Sequence, residues 1–388
     1  MKKLKILYID IEGGYGGSSR SLFNMVSNLN NKLFEPVVIC KKKGPTTEKL
    51  TKMNINFYVE SKIVSIIPLP KKNLRNILVN GYKLFFMKRL IHKIASINPD
   101  IVHLNYEGLV PLHYLLTKKI KKFKTILHFR SSIIKNNFFY KQYGKYINNN
   151  IDYLIFITEN QYNLAKKAGI LVNKIPYSVL YNASYMTLKK SERKTFSTKT
   201  LKIIYLGTID PGRGIDRLLD LANSFNEIGL NVKIEIYGQD YLKRYFFIFK
   251  KSYSSYIRKK IKKNGLESII RIRGFTSKPE EKLRKADLLI HPSKNNDPWG
   301  RNIIEAMTLG VPVISHGKYN KFVQNNVTGI LMNEWNLNNY VEAIKNIYYN
   351  RKKLNTFSKN SLKLSRKIFD KKSYQKKLKK IYTSFKKE

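Results

Sequence analysis

The sequence predicts an α/β protein made of two doubly wound, Rossmann-like domains. Leu4–Ile9 and Leu201–Leu206 are apolar runs that each lead into a glycine-bearing loop, at Gly13–Gly17 and Gly207–Gly214. A buried strand, a glycine loop and then a helix is the order in which a nucleotide-binding α/β domain begins. Because this order occurs twice, about half a chain apart in 388 residues, we expect two such domains.

Strand and helix candidates alternate after each start. The helical patterns that follow the two glycine loops are Ser21–Leu29 and Ile215–Phe225. Short apolar runs predict further strands at Pro36–Cys40, Ile101–Leu104, Thr125–Phe129, Tyr153–Thr158, Val179–Tyr181, Lys233–Tyr237, Ile270–Arg273, Leu288–His291 and Val311–Ser315. Helical stretches separate most of these runs, which indicates parallel sheets.

Composition places the domain boundaries. Residues 1–185 are predicted to form the first domain and 201–365 the second, with a polar linker rich in Ser, Thr and Lys at 186–200. Residues 366–388 are helical and strongly basic. The single cysteine, Cys40, permits no intramolecular disulfide and fits a reducing compartment. No run approaches the roughly 18 apolar residues of a membrane span, so a cytoplasmic location is expected.

The charge is extreme. The chain has 74 Lys and Arg against 26 Asp and Glu, a formal net charge of +48. Nucleic acid and anionic membranes are the partners that such a charge suggests. Bases alternate with aromatic residues in three stretches, Tyr82–Ile91, Asn136–Tyr146 and Tyr241–Lys263. Together with the basic C-terminal segment, they favour peripheral attachment to the inner face of the cytoplasmic membrane.

The most informative segment is Asp297–Ile314, which reads D-P-W-G-R-N-I-I-E-A-M-T-L-G-V-P-V-I. An acid leads into a glycine turn, a short amphipathic helix carries Glu305, and Gly310 and Pro312 end the helix before a β-branched run. The start of such a helix offers unpaired N–H groups to an anion. A carboxylate on the helix, at Glu305, would accept hydrogen bonds from the vicinal hydroxyls of a sugar.

This segment resembles the acidic-x7-acidic signature of retaining glycosyltransferases of the GT-B fold, in glycosyltransferase family 4. The resemblance implies two Rossmann-like domains that face each other across a cleft, with the C-terminal helix crossing back to the first. It implies that Glu305 binds the nucleotide ribose. Asp297 and the backbone of Gly300, Arg301, Asn302 and Ile303 would hold the donor sugar and its diphosphate. The family usually has Glu where this chain has Asp297.

Further site residues follow from the same resemblance. Arg213, at the start of the second domain's first helix, matches a position where the family usually has Lys and would bind the diphosphate. Thr208 follows the strand-end Gly207 where the family tends to have Arg. In the first domain, Gly16 and Gly17 would approach the donor, and His128 would lie near the reacting sugar. Arg130, two residues later, would face an anionic acceptor.

The sequence therefore predicts an enzyme that moves a sugar from a nucleotide donor to a glycan or lipid-linked acceptor in surface polysaccharide biosynthesis. No cluster of His, Cys, Asp and Glu has metal-ligand spacing, so neither a metal nor another cofactor is expected. Two alternatives remain open. One is a basic nucleic-acid-binding protein, although no recognised nucleic-acid module is present and no nucleic-acid partner is expected. The other is a GT-B nucleotide-sugar epimerase.

Overall fold

The computed structural model describes residues 2–14, 16–66, 87–120, 122–130, 138–170, 175–184, 186, 196, 199–240, 242–245, 249–295 and 297–386. The chain forms two compact units. Unit 1 contains Met1–Ala183 and Lys371–Glu388, and unit 2 contains Ser184–Asp370. Most of the predicted linker, 186–200, and parts of the three basic aromatic stretches lie outside the described residues.

Unit 1 is built on a parallel sheet of seven described strands. The strands are β1 Leu4–Asp10, β2 Phe34–Cys40, β3 Phe57–Val59, β4 Ile101–Leu104, β5 Lys124–Phe129, β6 Tyr153–Phe156 and β7 Tyr177–Val179. Their order across the sheet is β3-β2-β1-β4-β5-β6-β7. The strands are apolar along almost their whole length, which is the pattern of a parallel sheet that is covered on both faces.

The main sheet of unit 2 has six described parallel strands in the order β12-β9-β8-β13-β14-β15. These strands are β8 Leu201–Leu206, β9 Val232–Tyr237, β12 Ile270–Gly274, β13 Leu288–His291, β14 Val313–His316 and β15 Gly329–Met332. A separate antiparallel hairpin pairs β10 Leu242–Tyr245 with β11 Phe249–Ser252.

Helices connect most of the strands. In unit 1 they are α1 Gly17–Val26, α2 Pro45–Lys52, α3 Lys88–Ile97, α4 Val110–Thr117, α5 Phe138–Asn150 and α6 Glu159–Lys167. Unit 2 contains α7 Ile215–Glu227, α8 Tyr253–Lys263, α9 Pro279–Lys285, α10 Arg301–Thr308, α11 Leu337–Tyr349 and α12 Lys352–Ile368. The last helix, α13 Lys371–Thr383, belongs to unit 1. Among the described helices, none combines the length and the apolar character that a membrane crossing requires.

The predicted fold class is confirmed, and several element bounds differ for physical reasons. The helix predicted at Ser21–Leu29 begins earlier, at Gly17, and ends at Val26, because an Asn-rich turn follows. The strand predicted at Val311–Ser315 begins only at Val313, since the preceding Pro312 has no N–H to donate to a ladder. The helical segment predicted at 366–388 contains the end of α12 and all of α13, and these two helices belong to different units.

One close backbone approach fixes the carboxyl ends of β8 and β9. A Cβ atom at Gly238 would lie 1.6 Å from the carbonyl oxygen of Gly207, so no side chain fits there without moving a strand end. We expect Gly238→Ala to lower the free energy of unfolding by about 3 kcal/mol. Gly265→Ala is the control, because it adds a Cβ to open space at a φ of +65° and costs about 1 kcal/mol of backbone strain. Chemical denaturation compares the two, and equal losses would contradict the close approach.

Candidate functional site

The side chains predicted to bind the donor lie at the carboxyl edge of the unit 2 sheet. Gly207 and Thr208 follow β8, His291 ends β13, and Asp297 lies in the loop between β13 and α10. β8 and β13 are neighbours in the sheet, and the strand order reverses between them. A crevice at such a switch point is where α/β domains bind their ligands.

Asp297 is the centre of a short chain of polar contacts. Its Oδ2 accepts a hydrogen bond from the Arg213 guanidinium at 3.0 Å, and its Oδ1 lies 3.3 Å from His291 Nε2. Burial raises the pKa of this carboxyl, but its interactions with His291 and Arg213 outweigh burial and hold the pKa well below its usual value. Asp297 is therefore ionised at neutral pH, although only 13% of its side chain is exposed.

Asn302 fixes the orientation of His291. The Asn302 side-chain amide donates to the carbonyl oxygen of Leu206 at 2.8 Å and lies 3.1 Å from His291 Nδ1. Because the amide nitrogen is a donor, His291 Nδ1 accepts and its Nε2 carries the proton that is donated to Asp297. The His291 imidazole therefore links the Asp297 carboxylate to Asn302 in the first turn of α10. Asn302 in turn links this helix to the carboxyl end of β8.

The turn that carries Arg213 is locked against the loop after β13. Asp210 accepts a hydrogen bond from the Gly212 amide at 2.8 Å, and the Lys294 amide donates to the Gly212 carbonyl oxygen at 2.9 Å. Gly214 has a φ of +73°, and a Cβ atom there would lie 2.0 Å from the carbonyl oxygen of Pro292. These contacts hold Arg213 beside Asp297, so the two residues that were predicted separately form one ion pair.

Glu305 lies one helical turn after Arg301 on α10 and is almost fully buried. Arg301 Nε lies 2.8 Å from Glu305 Oε1, and 2% of the Glu305 side chain is exposed. Ile303, which was predicted to offer its amide to the donor, already donates that amide to Gly300 O and to the Asn302 side chain, each at 3.0 Å. The Ile303 amide is thus used within the helix start itself.

Two residues that contact this part of unit 2 were not among the predicted site residues. His291 donates to Asp297, and its place at the end of a strand next to the switch point was the available signal. Arg217 on α7 donates to Pro292 O at 3.0 Å, lies 3.3 Å from His316 Nε2 and stacks 4.6 Å from the centre of the Trp335 ring. No local pattern marks Arg217, because its partners are 75 residues or more away in sequence.

Unit 1 has a second polar cluster at its own switch point, between β1 and β4. Asp10 at the end of β1 accepts hydrogen bonds from Ser19 Oγ at 2.5 Å and Asn105 Nδ2 at 3.0 Å. Arg130, after β5, donates to Asn105 Oδ1 at 2.8 and 3.1 Å and to Asn182 Oδ1 at 2.7 Å. Two neutral amides therefore orient the Arg130 guanidinium, and the Arg130 backbone N–H donates to Glu107 Oε2 at 2.9 Å.

The remaining predicted residues of unit 1 lie near this cluster. Gly16 precedes α1 as its N-cap and Gly17 is the first residue of the helix. The Glu12 carboxylate lies against Gly16, where an added Cβ would be 2.4 Å from Glu12 Oε2. His128 is completely buried at the end of β5, and its Nδ1 lies 3.2 Å from His103 Nε2. Within the described residues, no group of three or more His, Cys, Asp and Glu side chains is placed to hold a metal ion.

Stability should depend on pH through Asp297. A carboxyl whose pKa is lower in the folded than in the unfolded chain stabilises the fold above its unfolded pKa, about 3.9, and loses that contribution as pH falls toward the folded value. We expect Asp297→Asn to lower the free energy of unfolding by about 2 kcal/mol at pH 7. The difference from wild type should narrow by about 1 kcal/mol at pH 3. Urea denaturation at both pH values measures it, and a difference that does not change with pH would contradict the ion pair.

Comparisons with known proteins match both units to glycosyltransferase family models. A glycosyltransferase family 4 model matches residues 15–183, and a model described as glycosyl transferases group 1 matches residues 187–364. A poly(ribitol-phosphate) alpha-N-acetylglucosaminyltransferase of Staphylococcus aureus is 26% identical over 217 residues, which are 54% of this chain and 40% of that protein. The chain thus spans less than half the length of this curated relative.

Solved structures share the fold. HepE from Anabaena, crystallised with UDP and glucose, superposes with a TM-score of 0.78 at 17% identity, over 98% of this chain and all of that one. TarM from S. aureus, crystallised with fondaparinux, alpha-GlcNAc-glycerol and UDP, has a TM-score of 0.72 at 17% identity over the whole of both chains. With family models matched across both units and two Rossmann-like folds in place, this chain belongs to the group 1, family 4 glycosyltransferases of the GT-B fold.

Proposed function

We propose that this glycosyltransferase transfers a hexose or N-acetylhexosamine from a UDP-linked donor, with retention of configuration, to a glycan or polyol-phosphate acceptor of a surface polysaccharide. The observation that carries the proposal is the ionised Asp297, held beside Arg213 at the start of α10. Support for the donor class comes from HepE and TarM, which were crystallised with UDP. Support for the acceptor class comes from the name of the S. aureus relative.

In this proposal, unit 2 binds the donor through both hydrogen-bond acceptors and hydrogen-bond donors. Asp297 accepts hydrogen bonds from sugar hydroxyls, since an ionised carboxylate is an acceptor only. Arg213 and the first amides of α10 stabilise the negative charge that develops on the departing diphosphate. Thr208, which is exposed after β8, adds a hydroxyl donor. The ribose hydroxyls donate to the Glu305 carboxylate beside Arg301.

Unit 1 supplies the acceptor side of the proposed reaction. The charge of Arg130 attracts an anionic acceptor, and His128 donates a hydrogen bond to a substrate oxygen. Attack occurs on the face from which the diphosphate departs, and the departing phosphate takes the proton of the acceptor hydroxyl. This route needs no side-chain nucleophile and no resident metal.

The ribose role of Glu305 is tested by donor binding. A ligand at a hundredfold excess over its Kd stabilises the folded protein by about 2.7 kcal/mol, which a thermal shift detects. We expect a UDP-sugar to stabilise the wild type and Glu305→Ala to lose most of that shift, because its Kd rises at least about tenfold. Glu342→Ala is the matched control, since Glu342 is exposed on α11 of the same unit.

Several outcomes separate this proposal from its alternatives. Equal shifts in both variants and wild type would exclude Glu305 from the donor site. A product formed from donor alone, without acceptor, would favour an epimerase. Tight, salt-sensitive nucleic-acid binding without any nucleotide-sugar shift would favour a nucleic-acid-binding protein. Product NMR that shows an inverted anomeric centre would contradict retention.

Peripheral membrane attachment is part of the proposal, and α13 supports it. The exposed face of α13 carries six lysines and no acid: Lys371, Lys372, Lys376, Lys377, Lys379 and Lys380. Its two tyrosines, Tyr374 and Tyr382, are buried in unit 1 and so lie away from any lipid. Attachment through this helix is therefore electrostatic, without aromatic insertion at the headgroups.

Liposome binding tests the role of α13. Each lysine near an anionic surface contributes about 1 kcal/mol, so replacing Lys376 and Lys380 by Gln should weaken binding to vesicles with anionic lipid about tenfold or more. Replacing Lys52 and Lys233, which are exposed elsewhere, is the charge-matched control. Sedimentation at increasing salt should show progressive release. Equal binding to neutral vesicles would contradict the electrostatic attachment.

A further inference from the structure

A chain of hydrogen bonds runs from the C-terminal helix to His128. Tyr8 Oη donates to Tyr382 Oη at 2.8 Å, and Tyr382 Oη lies 2.9 Å from His103 Nδ1. His103 Nε2 in turn lies 3.2 Å from His128 Nδ1. All four side chains have no exposed surface. We call these four residues the tyrosine–histidine chain.

The chain ends at a ring nitrogen that has no hydrogen-bond partner. Among the described residues, no protein group accepts from or donates to His128 Nε2, although the ring is fully buried. A buried polar atom without a partner is uncommon in folded proteins, and it needs a physical explanation. Because His128 is the penultimate residue of β5, near the carboxyl edge of the sheet, a ligand bound at this edge is the natural partner.

The direction of the protons follows from donor and acceptor counting. Each tyrosine hydroxyl has one proton, and each neutral imidazole has one. Both histidines are neutral, because burial and the positive charge of Arg130 hold their pKa values well below the ordinary value. Tyr382 receives the proton of Tyr8, so its own proton points elsewhere. The available acceptors are His103 Nδ1 at 2.9 Å and the thioether sulfur of Met25 at 3.5 Å.

The imidazole is the stronger acceptor and the closer one, so Tyr382 donates to His103 Nδ1. His103 then carries its proton on Nε2 and donates it to His128 Nδ1. His128 must in consequence carry its own proton on Nε2. The atom without a partner is therefore an N–H donor, and an oxygen atom is the group that would satisfy it.

Packing holds Tyr382 rigidly enough to determine these proton positions along the tyrosine–histidine chain. Its ring packs edge-to-face against Tyr8, Phe34 and His103, with centroid separations of 6.3, 5.6 and 6.0 Å. Leu378 and Ile381 anchor the same face of α13 in unit 1. The hydroxyl of Tyr382 can therefore bond to His103 without an induced movement of the helix.

We propose that Tyr382 is a positioning residue that acts through His103 to keep the proton of His128 on Nε2, where it donates to an oxygen of the bound substrate. The C-terminal helix would then contribute to the reaction without touching the substrate. This inference rests on the proposed function, which gives His128 its substrate contact. The oxygen belongs to a sugar hydroxyl or to a phosphate, and both accept such a bond.

The test uses Tyr382→Phe and, as a matched control, Tyr8→Phe in the full chain labelled with ¹⁵N-histidine. Both changes remove one buried hydroxyl from the tyrosine–histidine chain, but only Tyr382→Phe removes the proton that His103 accepts. The imidazole nitrogen shifts of the ligand-free protein at pH 7 report the tautomer, with His128→Gln assigning the signal. We expect wild type and Tyr8→Phe to show His128 protonated on Nε2, and Tyr382→Phe to show a mixture of the two tautomers.

Kinetics then connect the tautomer with turnover. The loss of one well-placed donor should lower kcat/KM of Tyr382→Phe about three- to tenfold, while Tyr8→Phe stays within about twofold of wild type. A wild-type His128 protonated on Nδ1 would overturn the proposal, and this result does not depend on whether Tyr382→Phe folds. An unchanged tautomer or an unchanged kcat/KM in folded Tyr382→Phe would also overturn it. Failure of the proposed function is distinguishable, because it would appear as absent donor binding and turnover in wild type.

Discussion

The candidate sites depend on one constraint: neighbouring parallel strands end at the same edge of a sheet. In unit 2, the strand order reverses between β8 and β13, so the loops that follow these two strands emerge side by side. This arrangement brings Arg213 against Asp297, although 84 residues separate them in sequence. In unit 1, the reversal between β1 and β4 brings Asp10 to Asn105 in the same way.

The two switch points have opposite electrostatics. Asp297 is stabilised as an anion by His291 and Arg213, and its pKa is lowered despite burial. For Asp10, burial raises the pKa more than the hydrogen bonds from Ser19 and Asn105 lower it. Unit 2 therefore presents a paired anion and cation at its switch point. In unit 1, amide oxygens orient the Arg130 guanidinium, whose charge acts on the buried histidines beside it.

Part of the excess of basic residues lies on the exposed face of α13. A helix whose apolar residues and tyrosines recur at helical spacing on one side necessarily presents its lysines on the other. The two roles proposed for this helix therefore do not compete. Its buried face orders Tyr382 against His103, while its exposed face is available to an anionic surface.

The sequence by itself determined the fold class, the family and the positions of many strands. The bounds of β4, β8 and β13 coincide with the predicted runs Ile101–Leu104, Leu201–Leu206 and Leu288–His291. These features are local, because the hydrophobic periodicity of an element and the glycines of a turn can both be read from a short run of consecutive residues. The acid, glycine and helix of the Asp297–Glu305 segment are likewise local, and the segment alone indicated a nucleotide-sugar site.

Only the tertiary structure decided how those residues combine. It paired Arg213 with Asp297, assigned His291 to that carboxylate and used the Ile303 amide inside the helix start. It also joined Tyr382 to His103 across 279 residues of sequence. Such partners depend on strand order and on which helix covers which strand. A sequence pattern of one turn or one strand cannot show either, because the Arg213–Asp297 and Tyr382–His103 contacts form between elements that are distant along the chain.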